Sequence, residues 1–194
     1  MNFAKRGNSM PPKVKITKDM ILNAVLKITQ ETGFESINAR SIANKLQCST
    51  RPLFTCYENM EELKKDFLDF AFEYYNQYVA NYNISIKVKP CLLLPLSYIA
   101  FAKEETYLFK LLFIDDMDLD MVITNDFYKE IGNVEKAKTF SKMIGVGLER
   151  AKKIFLDLFL YSHGIAVLTA TGKMSLDSDD VEKMLLNFLS AFSG

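Results

Sequence analysis

Residues 38–63, NARSIANKLQCSTRPLFTCYENMEEL, hold two short apolar helical patterns separated by a few polar residues. Asn38 can cap a helix whose inner face is apolar and consists of Ile42, Ala43 and Leu46. A turn is expected at residues 47–48, before a third helix over residues 50–57 that Ser49 can cap. Two short helices joined by a tight turn are typical of helix-turn-helix proteins.

Longer helices are expected on both sides of this stretch. Thr17 can cap a first helix that Gly33 ends, because apolar residues recur at i, i+3, i+4 and i+7, namely Ile21, Ala24, Val25 and Ile28. Asn59 opens a fourth helix of roughly 24 residues, or about 36 Å at 1.5 Å per residue. Its wide apolar stripe comprises Leu63, Phe67, Phe70, Ala71, Tyr74, Tyr78 and Tyr82.

The helical pattern continues to the end of the chain. Five further helices are expected, over residues 90–103, 104–113, 127–144, 148–171 and from Asp177 or Ser178 to 192. The acidic residues 115–120 are expected to form a solvated loop rather than a cation site, because they lack the Gly and the distal Glu of a calcium loop. Period-2 alternation does not persist anywhere, so the sequence predicts an all-α fold of about nine helices.

Composition and charge narrow the class of protein. The 194 residues (22.2 kDa) are 49% hydrophobic and 25% charged, as in a soluble globular chain of one domain, or one with a small appendage. The net charge is zero, but residues 1–57 hold nine Lys/Arg against three Asp/Glu, and the remainder has the opposite excess. A basic end joined to an acidic end favours a polyanionic partner for the first.

Targeting and redox signals point to the cytoplasm. The N-terminal residues have no apolar segment of the secretory kind. The longest apolar stretch, residues 154–170, is interrupted by Asp157 and His163 and is short for a membrane span. Three cysteines without a CxxC motif suit a reducing compartment. We expect a soluble cytoplasmic protein without a membrane partner.

Several short segments together carry a family resemblance. They are Ala24, Gly33, 38–43, 46–49, 53–54 and 57–63. In order and spacing, residues 16–64 resemble the DNA-binding domain of the TetR family (TetR/AcrR-like) of transcriptional regulators. The second half is similar to the TetR subgroup with a His-Gly motif on the penultimate helix, through residues 101–105, 108–113 and 162–166. Three residues depart from the family pattern. Gln47 stands where the family usually has Gly, Met60 where it usually has Lys, and Ser162 where it often has Trp.

The resemblance implies a domain organisation and a function. It implies a flexible basic arm (1–15), a helix-turn-helix DNA-binding domain (16–62, motif about 38–57), and a helical effector-binding and dimerisation domain (63–194). It further implies a homodimeric repressor that binds a palindromic double-stranded DNA operator and is released by a small effector. Neither a cofactor nor a metal is expected.

The expected DNA-binding residues are Arg40, Ser49, Thr50, Arg51, Pro52, Phe54, Thr55 and Tyr57. Arg51 could pair with guanine O6 and N7, a contact worth about 1–3 kcal/mol of discrimination, or could only neutralise phosphate. Thr55 is a second candidate base reader. Ser49 and Tyr57 could donate to phosphate oxygens, which fixes register without reading sequence. The resemblance places Arg40 at the groove rim, although it could equally be a solvated surface residue. Nonspecific attraction is expected from Lys13, Lys15 and Lys18.

Two further sets of residues belong to the second half. Aromatic and Met side chains suit an apolar or amphipathic effector, although they could equally be plain core; the candidates are Tyr78, Tyr82, Phe101, Tyr107, Phe109, Phe113, Met117, Met121, Phe127 and Phe140. The last two helices are expected to form the dimer interface, or else ordinary core, through Ile154, Leu158, Ile165, Leu168, Met184, Leu185, Phe188 and Leu189. The single His163 is expected to be structural rather than a pH sensor or effector anchor.

Other classes of protein find less support. No Ser or Cys nucleophile has a His partner at a recognisable spacing, and the chain has no HExxH, GxGxxG or P-loop, so we do not expect an enzyme. Cys48 and Cys56 flank the third helix, which keeps a thiol-sensing regulator as an alternative. A protein-interaction module built on the helix-turn-helix scaffold, without a small-molecule effector, is another.

Overall fold

The computed structural model describes residues 15–85, 88–117 and 119–192. Within these ranges the chain forms nine α-helices and no strand, which confirms the predicted all-α fold. The helices are α1 (Lys18–Thr32), α2 (Ala39–Lys45), α3 (Leu53–Cys56), α4 (Met60–Ser85), α5 (Pro90–Glu104), α6 (Thr106–Lys110), α7 (Ile131–Ile144), α8 (Leu148–Ala170) and α9 (Ser178–Ser190). Short 3₁₀ turns cover Phe34–Ser36 and Thr124–Tyr128, and a π-helical turn covers Leu111–Asp115.

Side-chain caps set the first helix boundaries. Thr17 Oγ1 accepts a hydrogen bond from the Met20 N–H at 3.3 Å, and Gly33 ends α1 with φ of 85°. Asn38 Oδ1 accepts from two backbone N–H groups of α2, each at 3.0 Å, while its own N–H donates to Ser41 Oγ. This reciprocal pair is a capping box. The helices enclose a small core of Ile21, Val25, Ile42 and Leu53.

The third helix is shorter than predicted. It begins at Leu53 rather than at residue 50, and Ser49 does not cap it. Residues 50–52 instead form a turn, in which the Leu53 N–H donates to the Thr50 carbonyl at 3.1 Å. The reason is Pro52, because a proline lacks an N–H and disfavours helical backbone in the residue before it.

The long helix α4 joins the two halves of the molecule. Asn59 Oδ1 accepts from the Glu62 N–H at 2.9 Å, as expected for its first turn. In the predicted stripe, Leu63, Phe67 and Ala71 are fully buried, and the more C-terminal aromatic side chains are half-buried. α4 therefore packs against α1 at one end and against α5 further along.

Two predicted helices of the second half are interrupted. Residues 104–113 divide into α6 and the π-helical turn. The helix expected from Phe127 begins only at Ile131, because the backbone is extended at Glu130. Asp126 holds the preceding 3₁₀ turn by accepting from the N–H groups of Val122 and Ile123, each at 2.9 Å.

The last two helices follow the prediction to within two residues. Gly145 adopts the left-handed conformation between α7 and α8, and the Asp177 side chain caps α9. α8 packs against α5 and α7 and contributes many buried residues to the hydrophobic core. Among the described residues it is also the one helix long and apolar enough to cross a membrane, with 44% of the tested window buried in the fold. Its packing against its neighbours accounts for the apolar composition.

Candidate nucleic-acid interface and effector cavity

One side of α3 anchors it to the core and leaves the other side exposed. Leu53 and Tyr57 lie one helical turn apart, are 1% and 3% exposed, and pack into the first core. Arg51, Phe54 and Thr55 lie on the outer side, where Phe54 is 51% exposed. The helix-turn-helix segment thus presents a short row of unburied side chains on a fixed support.

The structure brings most of the predicted DNA-binding residues to this surface. Arg40, Ser49, Arg51, Phe54 and Thr55 are exposed, whereas Thr50 and Pro52 are half-buried. Within the described ranges, neither the Arg40 nor the Arg51 guanidinium forms an ion pair. Both cations are therefore available to an anionic partner.

Tyr57 is placed differently from the prediction. Its ring is in the core, and its hydroxyl donates to Asp66 Oδ2 at 2.8 Å instead of facing outward. Burial raises the pKa of the Tyr57 phenol most, and the hydrogen bond to Asp66 raises it further. The Lys18 ammonium lies 3.5 Å from the same Asp66 oxygen and 4.4 Å above the Tyr57 ring. Tyr57 and Lys18 thus hold α1, α3 and α4 together rather than serving as phosphate donors.

The turn between α2 and α3 closes without a glycine. Gln47 has φ of 52°, in the left-handed region that favours glycine. The Cys48 N–H donates to the Ala43 carbonyl at 3.0 Å, and the Gln47 N–H donates to the Asn44 carbonyl at 3.1 Å. These two bonds form a Schellman motif, which usually carries Gly at this position. The chain accordingly adopts the tight turn despite its departure from the family residue.

The predicted basic arm lies mostly outside the described residues. Lys13 belongs to that part, and Lys15, the first described residue, is exposed. Lys45 at the end of α2 pairs with Glu31 of α1, with Nζ 2.6 Å from the carboxylate oxygen. Arg40 and Arg51 therefore remain the main cations of the helix-turn-helix surface.

A cavity of about 870 Å³ lies in the second half, between α4, α5, α8 and the segment after α6, which continues into the start of α7. Its wall is aromatic and aliphatic, formed by Phe72, Tyr75, Leu94, Pro95, Tyr98, Leu112, Phe113, Met117, Leu119, Phe127, Phe155, Leu158 and Phe159. Its polar lining consists of Asn76, Asp120, Asp126, Lys129, Glu130, Asn133, Lys136 and Ser162. Known small-molecule pockets have this size and this mainly apolar character.

Three of the ten predicted effector residues line this cavity, namely Phe113, Met117 and Phe127. The other seven do not. Phe101, Phe109, Met121 and Phe140 pack into the core instead. Tyr107 is 43% exposed and lies against Gly33, while Tyr78 and Tyr82 are half-buried on α4. Helical spacing does not distinguish a core aromatic from a cavity aromatic, because both lie on buried faces.

Several lining residues were missed by the sequence analysis. Phe155 and Phe159 lie four residues apart on α8, a spacing that could have identified them. Tyr75 and Tyr98 face the cavity only because α4 and α5 meet at this point, which is a tertiary effect.

His163 has the structural environment that the sequence suggested. Its Nδ1 lies 2.9 Å from the Tyr98 hydroxyl oxygen, and its ring packs near Phe159 and Phe109. Burial lowers the pKa of the imidazole from its ordinary value, so the neutral form is favoured.

A polar cluster connects the helix-turn-helix unit to the second half. Glu105, just before α6, accepts hydrogen bonds from Gln30 of α1 at 2.9 Å and from the Tyr74 hydroxyl of α4 at 2.6 Å. The pKa of Tyr74 is raised to about 12, mainly by burial and further by its hydrogen bond to Glu105. Since α6 leads directly into Leu112 and Phe113 of the cavity wall, hydrogen bonds of this cluster connect that wall to α1 and α4.

The predicted dimer residues divide into two sets. Ile154, Leu158, Ile165 and Leu185 are buried in the core of their own chain, so they are not available to a partner in this conformation. Leu168 is 42% exposed, and Met184, Phe188 and Leu189 are half-buried. The apolar stripe that the sequence showed on α8 is the one that meets α5 and α7.

A different face of α8 is open and partly apolar. Leu160 (49% exposed), Gly164 and Leu168 follow one another at four-residue intervals on the solvent side. The Tyr161 and Phe188 rings stack beside it, with centroids 5.0 Å apart. A side chain at Gly164 would meet nothing within 4 Å, so this face has an open notch at its centre.

The remaining candidate groups are the acidic residues and the three cysteines. The described residues contain no cluster of three or more His, Cys, Asp or Glu side chains that could hold a metal, and Asp118 of the acidic run lies outside them. The three cysteines are free thiols and half-buried. Cys56 Sγ lies 3.8 Å from the Ile16 carbonyl oxygen.

Comparisons with known proteins add no identification. No protein-family model matches the chain, and a search of curated proteins finds no match.

Proposed function

We propose that this protein is a sequence-specific DNA-binding transcriptional regulator without enzymatic activity. The observation that carries the proposal is the α2–turn–α3 segment, whose inner side is anchored in the core while unpaired arginines and small polar side chains cover its outer side. The basic excess of residues 1–57 and the resemblance to TetR-family DNA-binding domains support it. Such a regulator acts on chromosomal DNA, and we propose a cytoplasmic location.

In this proposal, α3 enters the major groove with its N-terminal turn foremost. Arg51 lies in the turn that leads into α3 and Thr55 on its outer side, and both are exposed, so both can reach base edges. Arg40 and Ser49 lie at the N-terminal ends of α2 and of the α3 turn, where they contact phosphate. Phe54 then lies against the sugar-phosphate backbone.

The proposed regulator acts as a homodimer, because one such unit reads only a few base pairs. The exposed face of Leu160, Gly164 and Leu168 is proposed as the contact between two copies, with the stacked Tyr161 and Phe188 at its edge. Two-fold symmetry suits an inverted-repeat operator, with half-sites one helical turn or a multiple of it apart.

Repression is proposed to be relieved by a small apolar or amphipathic effector in the cavity. A ligand changes DNA affinity only if it binds the two conformations of the protein with different affinities. The cavity wall continues through the π-helical turn and α6 to Glu105, which contacts Gln30 of the helix-turn-helix unit. A shift of this segment would change the position of the DNA-binding unit.

DNA binding tests the proposal directly. Purified protein is titrated into labelled duplexes from the region flanking its own gene, and into duplexes that it selects from a random-sequence pool, with fluorescence anisotropy as readout. We expect enrichment of one inverted repeat, binding that resists unrelated competitor DNA, and an affinity that falls steeply with salt. No enrichment, together with binding that any DNA abolishes, would contradict sequence-specific regulation.

A further inference from the structure

We propose that the cavity binds a neutral, largely apolar molecule carrying a hydrogen-bond acceptor, and that the Tyr75 hydroxyl donates to that acceptor. The inference rests on the proposed function, since it names the chemical class of the effector. It depends on three features: an unpaired hydroxyl in an apolar wall, the rigidity of its ring, and the charge balance of the cavity rim.

Tyr75 and Tyr98 are the tyrosines of the described residues that line the cavity, and only the Tyr98 hydroxyl has a hydrogen-bond partner there. The hydroxyls of Tyr57, Tyr74, Tyr78, Tyr98 and Tyr128 each have a hydrogen-bond partner in the protein. Within the described ranges, the Tyr75 hydroxyl has none, although its side chain lines the cavity. Among the described residues, Thr29 Oγ1 is the one side-chain oxygen that is both inaccessible and without a hydrogen-bond partner. The Tyr75 hydroxyl is therefore accessible as well as unpaired within the described ranges, on a side chain that lines the cavity.

The ring of Tyr75 is held on three sides. It makes edge-to-face contacts with Phe113, Phe101 and Tyr98, at centroid distances of 4.9, 5.0 and 6.3 Å. These contacts fix the direction of the hydroxyl before any ligand arrives, which reduces the ordering cost of binding. Burial raises the pKa of Tyr75, so the group remains a protonated donor at neutral pH.

The rim gives no net field that would hold an anion. Lys129 lies 2.8 Å from Asp126, which is ionised because hydrogen bonds from Lys129 and the backbone lower its pKa to about 2. Glu130 accepts from the Asn133 amide at 3.1 Å. Asp120 and Lys136 complete the charged lining, whose three carboxylates and two ammonium groups sum to a formal charge of −1 and so do not attract an anion. Most of the remaining lining is apolar, and an unpaired ligand charge there would be costly.

Three naphthalenes of similar shape test the class of ligand. They are 2-acetonaphthone, with a carbonyl acceptor, 2-isopropenylnaphthalene, in which a CH₂ group replaces that oxygen, and 2-naphthoate, which is anionic. Their affinities are measured by displacement of the fluorescent probe N-phenyl-1-naphthylamine from the full-length protein, which contains no tryptophan. The same set is measured on Tyr75→Phe and on the control Tyr107→Phe, whose ring lies outside the cavity lining.

We expect Tyr75→Phe to shift the ketone-to-hydrocarbon affinity ratio against the ketone by between about twofold and tenfold, as for one neutral hydrogen bond. Tyr107→Phe should leave the ratio unchanged, and 2-naphthoate should bind at least tenfold more weakly than the ketone. An unchanged ratio in Tyr75→Phe would overturn the role of Tyr75. Tighter binding of 2-naphthoate, or no displacement by either neutral compound, would overturn the ligand class.

Two safeguards keep the test decisive. If Tyr75→Phe does not fold, the infrared carbonyl stretch of 2-acetonaphthone bound to the wild type replaces it. A lower frequency than in a hydrocarbon solvent supports the hydrogen bond, and an equal frequency overturns it. Each preparation is also assayed for specific DNA binding. Failure in that assay alone counts against the regulator, and failure of the ligand series alone counts against this inference.

Discussion

His163 is half-buried in the second half, where it shares a hydrogen bond with Tyr98, and its burial makes stability depend on pH. Burial lowers the pKa of folded His163 below its ordinary 6.5, so the unfolded chain binds a proton more readily than the fold. The contribution of the neutral imidazole is therefore complete above pH 6.5 and is lost as the pH falls below it, through the folded pKa. We predict that the unfolding free energy of His163→Gln changes less between pH 8 and pH 5 than that of the wild type. Parallel curves in urea titrations would contradict this.

Gln47 has a backbone conformation that suits glycine better. A left-handed conformation costs a residue with a side chain roughly 1–2 kcal/mol, and the extra freedom of unfolded glycine offsets about half of that. We predict that Gln47→Gly raises the unfolding free energy by about 0.5–1 kcal/mol. The matched substitution Gln77→Gly, inside α4, should lower it by about 1 kcal/mol. Loss of stability in both variants would show that the turn is not strained.

At this scale the exposed part of the DNA-binding surface could be predicted from the sequence. Helical spacing predicts that Leu53 faces inward and Arg51 outward, as the structure has them, whereas Thr50, also predicted outward, is half-buried. Tyr57 could not be placed in this way, because its polar hydroxyl and apolar ring point to opposite roles. Its partner, Asp66, is nine residues away on another helix, and only the packing of α3 on α4 brings the two together.

Between elements, the cluster around Glu105 connects α1, α4 and the start of α6. Its half-buried carboxylate accepts from Gln30 and Tyr74, so its removal leaves two donors without their charged partner. We predict that Glu105→Ala lowers the unfolding free energy by about 1–3 kcal/mol. Glu135→Ala, which removes an exposed pair with Lys138, should cost less than about 0.5 kcal/mol. Equal effects in chemical denaturation would contradict a structural role for the cluster.

Helix boundaries could be predicted where a side chain caps the helix. Thr17, Asn38, Asn59 and Asp177 each accept a hydrogen bond in the first turn that they were expected to cap. α3 starts later than Ser49 predicts, because the steric effect of Pro52 on the residues before it outweighs the capping tendency of Ser49. The π-helical turn after α6 has no short-range signal, because packing against neighbouring helices decides it.

For the molecule as a whole, the sequence predicted the class of fold but not which apolar stripes meet. α8 has apolar residues on more than one side, and the pattern alone could not show that Ile154, Leu158 and Ile165 face its own chain. The cavity shows the same limitation, because it arises where bulky side chains from four segments do not fill the space between them.

The proposed homodimer predicts a specific effect of charge on the open face of α8. Leu160→Glu places a carboxylate within the proposed contact, where two copies would face each other. We predict that it weakens dimerisation at least tenfold in sedimentation velocity. Val122→Glu, at a residue that is 87% exposed in a loop, should have no effect. A wild-type protein that stays monomeric at micromolar concentration would contradict the dimer.

The most direct measurement compares the DNA affinity of Arg40→Ala/Arg51→Ala with that of Lys142→Ala/Lys173→Ala, on the inverted repeat that the wild type selects. Both variants remove two exposed cations, so the net charge of the protein changes equally. We predict that the arginine variant loses more than tenfold in specific affinity while keeping its helical content and its ligand binding, since one bidentate base contact is worth about 1–3 kcal/mol. The lysine variant should bind within about twofold of the wild type. Equal losses in the two variants would contradict DNA recognition by α2 and α3.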